Sequence, residues 1–236
     1  HDATQEPGVA HLPIAADLCR AVLVLPLPAV REVALRAGRA WAVTKWVVVA
    51  SHPDDESLFW GGIVLAHPAD DWTIICCSVP RADPIRSWKF FDAVEALGAR
   101  GRLMASEEPP PSEPLPEELL SMIDLEPYDH IVTHGREAEY GHKHHLSVHH
   151  YIHTRYPHKV IFSTCPPGKS DWDVEVLLSF EMLKRKMIAL QCYNHVLPYE
   201  GKLMTKAEAL IKRYCHDAGW KLDVERYRIS KPVPAH

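Results

Sequence analysis

The 236-residue chain has six cysteines but no CxxC pair and no regular cysteine spacing, so nothing points to a disulfide framework or a paired redox thiol. Cys76 and Cys77 are adjacent in an apolar run, where a strand sends them to opposite faces and a bridge between them is excluded. Reduced, buried thiols imply a cytoplasmic protein. Positive charge is not in excess either. With 26 Lys and Arg against 31 Asp and Glu, the formal net charge is −5, which excludes a general nucleic-acid binder with a basic face. Long apolar runs are also missing: the stretch 12–30 is broken by Asp17, Arg20, Pro26 and Pro28 and makes no transmembrane segment. It reads instead as part of an N-terminal helical extension, residues 1–40. No internal repeat and no GxGxxG occur, so Gly61-Gly62 is no dinucleotide fingerprint. What the chain has is histidine. Nine of its 16 histidines fall between His130 and His158.

Residues 41–236 read as a single large domain. Residues 46–50 (WVVVA) form a β-branched run typical of a strand buried on both faces. A helix is expected over 57–66, a second buried strand over 72–79 and a helix over 85–97, stopped by Gly98. Five prolines and three glutamates in 106–116 mark an exposed loop. A helix at 117–124, a strand at 130–134 (HIVTH), a histidine-rich helix in 141–155 and a strand at 159–164 follow. One long helix over 174–193 precedes a less regular C-terminal region with a helix near 206–215. Buried strands alternating with helices give an α/β, Rossmann-like fold, a mostly parallel sheet with helices on both faces.

In such sheets ligands bind beyond the carboxyl ends of the strands. Two segments rich in metal-competent residues lie there. After the first strand come Ser51-His-Pro-Asp-Asp-Glu56, and after HIVTH come Tyr140-Gly-His-Lys-His-His145. His52 and Asp55 flank Pro53 in a turn able to aim both at one point, and imidazole nitrogen and carboxylate oxygen are good zinc donors. Adjacent side chains diverge, so of Asp54 and Asp55 one ligates and the other is free to take a proton. His142 and His145 share a helix face. Either completes a two-histidine, one-carboxylate set with a position left for water, and spacing does not choose between them. His149, His150, His153 and His158 read as a solvated helix face.

These residues resemble the LmbE/PIG-L family of zinc-dependent N-acetylglucosaminyl deacetylases. Its first motif, A-H-P-D-D-E, corresponds to Ser51–Glu56, and its second, G-H-x-D-H after a tyrosine, to Tyr140–His145. Arg86, Ala93, Leu97 and Gly98 match an intervening R-x-x-E-x-x-x-A-x-x-x-L-G pattern. The likeness spans roughly residues 47–149. It implies zinc on His52, Asp55 and His145, with Fe2+ an alternative, Asp54 as general base, His142 as the protonated partner and Tyr140 reaching the carbonyl oxygen. Two positions depart from the pattern. His144 stands where the family has the aspartate that orients and charges His142, leaving Glu137 or Glu139 to supply that carboxylate. Lys89 replaces a glutamate.

The implied reaction is hydrolysis of an acetamide on a small N-acetylated glycoside or glycoconjugate, giving acetate and a free amino sugar. Arg81, Asp83 and Arg86 are candidates to grip a polar substrate group. Trp88, Phe90 and Phe91 read as core rather than as a sugar platform. Two alternatives differ in kind: an amidase acting on a sugar-linked conjugate, and a non-catalytic histidine-rich metal-binding protein. A pure chelating patch does not need Asp54 beside Asp55 or Tyr140 beside the histidines.

Overall fold

The computed structural model describes residues 43–79, 83–104 and 106–232. The expected N-terminal extension and Arg81 lie outside the described residues. In chain order the elements are β1 (Lys45–Ala50), α1 (Asp55–Phe59), α2 (Gly61–Ala66), β2 (Asp71–Cys76), α3 (Ile85–Leu97), β3 (Arg100–Leu103), α4 (Glu117–Ser121) and β4 (His130–Thr133). Then come α5 (Ala138–Gly141), α6 (Lys143–Arg155), β5 (Val160–Thr164), β6 (Val174–Leu177), α7 (Phe180–Gln191), β7 (Val196–Tyr199), β8 (Lys202–Thr205) and α8 (Lys206–Leu210). The last helix runs on as a π-helical segment, Ile211–Asp217, before β9 (Val224–Ser230).

Seven strands form one sheet in the order β3-β2-β1-β4-β5-β9-β6. The first five are parallel, and β9 pairs antiparallel with both β5 and β6. The sheet is therefore mostly parallel, as the alternation of buried runs implies. Val48, Ala50, Ile74 and Cys76 pack on one face with Phe59, Ile63, Phe90 and Leu190 from α1, α2, α3 and α7. Val47, Val49, Ile75 and Cys77 pack on the other with Leu119, Leu120, Val148 and Ile152 from α4 and α6. The adjacent cysteines thus face opposite sides, and the five described cysteines are all free. Among the described residues no helix is long and apolar enough to cross a membrane.

Strand order reverses at β1, which has β2 on one side and β4 on the other. The loops leaving β1 and β4 diverge to opposite faces there and open a crevice at the carboxyl edge. Gly135, just after β4, lets its backbone pass close to the end of β5: a Cβ there would sit 2.1 Å from the Thr164 carbonyl oxygen.

Several local expectations are corrected. The helix over 57–66 is two short helices, broken at Trp60. The backbone N–H groups of Gly62 and Ile63 donate to Glu225 at 2.6 and 2.9 Å, and a Cβ on Gly62 would lie 2.6 Å from the Glu225 side chain. The single helix over 174–193 is strand β6 followed by α7. Ser179 caps α7 by accepting from Met182 N, which fixes the break. β9 was hidden because one of its buried alternating positions is Glu225, held by Lys186 Nζ at 2.6 Å and by the Tyr227 hydroxyl. Of the three aromatics on α3, only Phe90 is core, since Trp88 is 77% and Phe91 45% exposed.

Candidate metal and catalytic centre

The loop after β1 is closed by its own polar groups. Asp55 Oδ2 accepts from the His52 backbone N–H at 2.9 Å, which brings imidazole and carboxylate to one side. Asp54 takes φ 103°, a left-handed conformation that costs an L-residue strain. Glu56 holds it there: its Oε2 accepts from Asp54 N at 2.8 Å, and its Oε1 accepts from Ser57 Oγ and Tyr193 Oη. Burial, aided by the nearby Asp54 charge, raises the Glu56 pKa to about 7 against those hydrogen bonds.

On the β4 side the proton positions can be worked out from obligate donors and acceptors. His134 Nε2 accepts from Ser51 N at 3.0 Å, so its Nδ1 carries the proton and donates to Glu139 Oε2 at 2.9 Å. The same Oε2 lies 2.5 Å from His145 Nδ1, which must also donate, leaving His145 Nε2 with a free lone pair. A carboxylate that fixes the tautomer of a histidine in this way is the usual support of a metal ligand. Glu139 is buried, yet the two histidines overcome the desolvation and hold it at about 2. Its own backbone, with Ala138, has positive φ (56° and 53°).

His52 is oriented from its far side. His144 Nε2 lies 3.3 Å from the Pro110 carbonyl and donates to it, so His144 Nδ1 accepts from His52 Nε2 at 2.9 Å. Glu108 Oε1 stands 3.1 Å from the same His52 nitrogen. In the neutral ring His52 Nδ1 is left with the lone pair.

Three donor atoms then converge. His52 Nδ1 is 3.4 Å from Asp55 Oδ2, His145 Nε2 is 3.5 Å from that oxygen, and the two nitrogens are 3.3 Å apart. Tetrahedral zinc with bonds of ~2.0–2.2 Å has ligand–ligand edges of about 3.3–3.6 Å, so the triangle fits one face of that tetrahedron. Two lone pairs and an anionic oxygen at this spacing repel unless a proton or a cation lies among them. Without a cation, burial opposes charge on His52, but the Asp55 and Glu108 carboxylates win and raise it to about 9. Asp55, despite burial, is driven well below the usual carboxylate range by His145 and His52.

Asp54 lines a cavity of about 240 Å³ whose wall includes His52, Asp55, Tyr140 and His142. Burial raises its pKa, opposed by the Arg86 guanidinium and Lys206. Both cations contact Oδ2, at 2.6 and 3.5 Å. Arg86 also donates to the Pro53 carbonyl, which braces the loop, and it is buried in the wall of the same cavity. Asp83 is occupied by His195 Nε2 at 3.0 Å.

The expected carboxylate partner of His142 is not found where sequence placed it. Glu137 pairs with Arg228, and Glu139 serves His134 and His145. His142 instead caps α6, its Nδ1 accepting from His144 N at 3.3 Å. Burial, with the neighbouring His52 and His145, lowers it to about 3, so its ring is neutral rather than protonated. Tyr140 packs edge-on to His145, and its hydroxyl neighbours that of Tyr214. His149 and His153 are partly buried and tied to the His134 carbonyl and Ser163, not a solvated face.

The sequence reading missed Glu108 and His134 as parts of the centre, and it set Glu139 beside His142 where the structure pairs it with His134 and His145. His134 and Glu139 carried a signal, being polar residues at the end of a buried strand and beside the second motif. Glu108 carried none, since it sits in the proline-rich loop.

No family model and no curated protein matches the chain. Solved structures do match in fold. A 4-carboxy-2-hydroxymuconate hydratase from Pseudomonas putida KT2440 aligns with a TM-score of 0.54 at 15% identity, over 82% of this chain and 99% of that one. An N,N'-diacetylchitobiose deacetylase from Pyrococcus horikoshii gives 0.52 at 14%, over 78% and 83%. A deacetylase of teicoplanin biosynthesis gives 0.52 at 11%, over 81% and 100%. At these identities the likeness establishes the shared fold.

Proposed function

We propose that the chain is a metal-dependent hydrolase that removes the acetyl group from an N-acetylated amino sugar, releasing acetate and a free amine. The observation that carries this reading is the His52–Asp55–His145 triangle with a second buried carboxylate, Asp54, on the wall of the same cavity. An N,N'-diacetylchitobiose deacetylase and a deacetylase of teicoplanin biosynthesis share this fold and lend it support. Zinc suits the two-nitrogen, one-oxygen set, and Fe2+ is the alternative. When bound there, such an ion would acidify water and polarise an amide carbonyl.

The chain's own residues supply the rest. Asp54 accepts the proton of the attacking water, while Arg86 and Lys206 hold its Oδ2. Tyr140 donates its hydroxyl hydrogen to the carbonyl oxygen as negative charge develops. Asp54 then returns its proton to the departing nitrogen, and the C–N bond breaks to acetate and amine. A neutral His142 does not deliver that proton, and it acts as a hydrogen-bonding wall for the substrate. The cavity lies just below the ~300–1,000 Å³ of drug-sized pockets, so it takes one small polar unit and leaves a carrier outside.

The test is a panel of N-acetylglucosaminides with lipid, inositol, nucleotide and antibiotic aglycones, incubated with the zinc-loaded chain. Equal yields of acetate and free amine from at least one member are expected. A larger acid in place of acetate would move the assignment to an amidase of sugar conjugates, and no hydrolysis at all would contradict it.

A further inference from the structure

The proposed hydrolysis leaves part of the histidine cluster without a task. Beyond the first triangle, on the far side of the His52 ring, the donor atoms of His52, Glu108, His142 and His144 all lie within 4.8 Å of one another. His52 Nε2 is 2.9 Å from His144 Nδ1 and 3.1 Å from Glu108 Oε1, and that oxygen is 3.3 Å from His144 Nδ1. The His142 ring stands 4.8 Å from His52 and 4.7 Å from His144, centre to centre.

We infer that Glu108, His142, His144 and the far nitrogen of His52 form a second divalent-cation site, which shares the His52 ring with the first and blocks the cavity when filled. Three imidazole nitrogens and one carboxylate oxygen are a donor set for zinc and its neighbours in the transition series, not for calcium or magnesium. The edges among His52, His144 and Glu108 are up to a few tenths of an ångström shorter than those around zinc, so these three groups part slightly to admit an ion. A cation entering displaces the proton on His52 Nε2 to solvent, so that the ring, bound at both nitrogens, bridges the two ions as an imidazolate.

The site is built rather than adventitious. His144 is fully buried. Glu108 is anchored to the end of β2 by its own N–H to Val79 O at 3.0 Å, with Val79 N returning to Ser106 O at 3.1 Å. Glu108 and His142 also line the cavity, so an ion held between them stands in the path of a substrate. Sharing His52 couples the sites: the second ion removes the hydrogen bond that orients the ring for the first. The second ion therefore binds more weakly, and its arrival is inhibitory. The inference rests on the proposed function only for the first site and for that inhibition.

The experiment is titration of the metal-free full chain with Co2+ and with Zn2+, followed by calorimetry, visible absorption of the cobalt form and elemental analysis after gel filtration. Two equivalents are expected, the second weaker, with amide hydrolysis rising over the first and falling over the second. Glu108→Gln and His144→Asn should each bind one equivalent. Asp55→Asn should also keep one, now in the second site. Saturation of the wild type at one equivalent would overturn the second site and leave the proposed hydrolase standing. No binding at all would overturn both.

Discussion

The cavity has two walls of different construction. One is the pair of loops leaving β1 and β4, where nearly every polar atom is tied to another: Glu56 to Asp54, Glu139 to His134 and His145, Arg86 to Pro53 and Asp54. The other comes from residues 197–214, a two-stranded hairpin, a short helix and a π-helical segment that present Leu197, Tyr199, Lys206, Arg213 and Tyr214. A capping box starts its helix, with Thr205 and Glu208 bonding each other's backbone. Arg213 stacks over the Tyr140 ring at 5.1 Å. The first wall fixes reacting groups on rigid strand ends, and the second shapes what is admitted. Changes in the first should therefore act on turnover and metal, and changes in the second on substrate affinity.

The sharpest way to break that division is Asp54→Asn. It should lower kcat by about 10³-fold, within the range for a general base, while the bound metal stays. Activity near wild type would remove Asp54 as the base. Next comes Glu139→Gln, which no longer fixes the His145 tautomer and should weaken metal binding by roughly 10–100-fold. Unchanged affinity by competition with a chelator would mean that Glu139 is merely structural.

A third effect is graded by pH. In the metal-free chain His52 is protonated up to about pH 9, so an ion must displace one proton. Apparent metal affinity should rise close to tenfold per pH unit below that point and level off above it. A flat profile from pH 6 to 8 would contradict the His52 assignment. The smallest effect belongs to the second wall. Arg213→Ala should raise KM by about tenfold with kcat within about twofold, the signature of lost uniform binding. A fall in kcat instead would merge the two walls into one machine.

The first wall was legible in the sequence and the second was not, for a physical reason. His52, Asp54 and Asp55 are contiguous, follow a strand whose burial is plain in WVVVA, and needed only a turn to converge. His145 was one of two equivalent candidates by spacing. What separates it from His142 is the proton on its Nδ1, which depends on Glu139, held in a positive-φ backbone that no periodicity announces. Glu108 could not be read at all, since it reaches His52 from a proline-rich loop 56 residues further along the chain. The parallel half of the sheet was equally plain. Its antiparallel edge was not, because β9 turns Glu225 inward to meet Lys186 and so breaks the alternation that marks a half-buried strand. Polar residues used inside the fold erase the patterns from which folds are read.

The central claim is that one ion binds to His52 Nδ1, Asp55 Oδ2 and His145 Nε2. Its most direct test is anomalous diffraction from crystals of the chain carrying a single equivalent of zinc. The expected result is one anomalous peak bonded to those three atoms at ~2.0–2.2 Å. A peak held instead by His134 and Glu139, or by Glu108, His142 and His144, would contradict it.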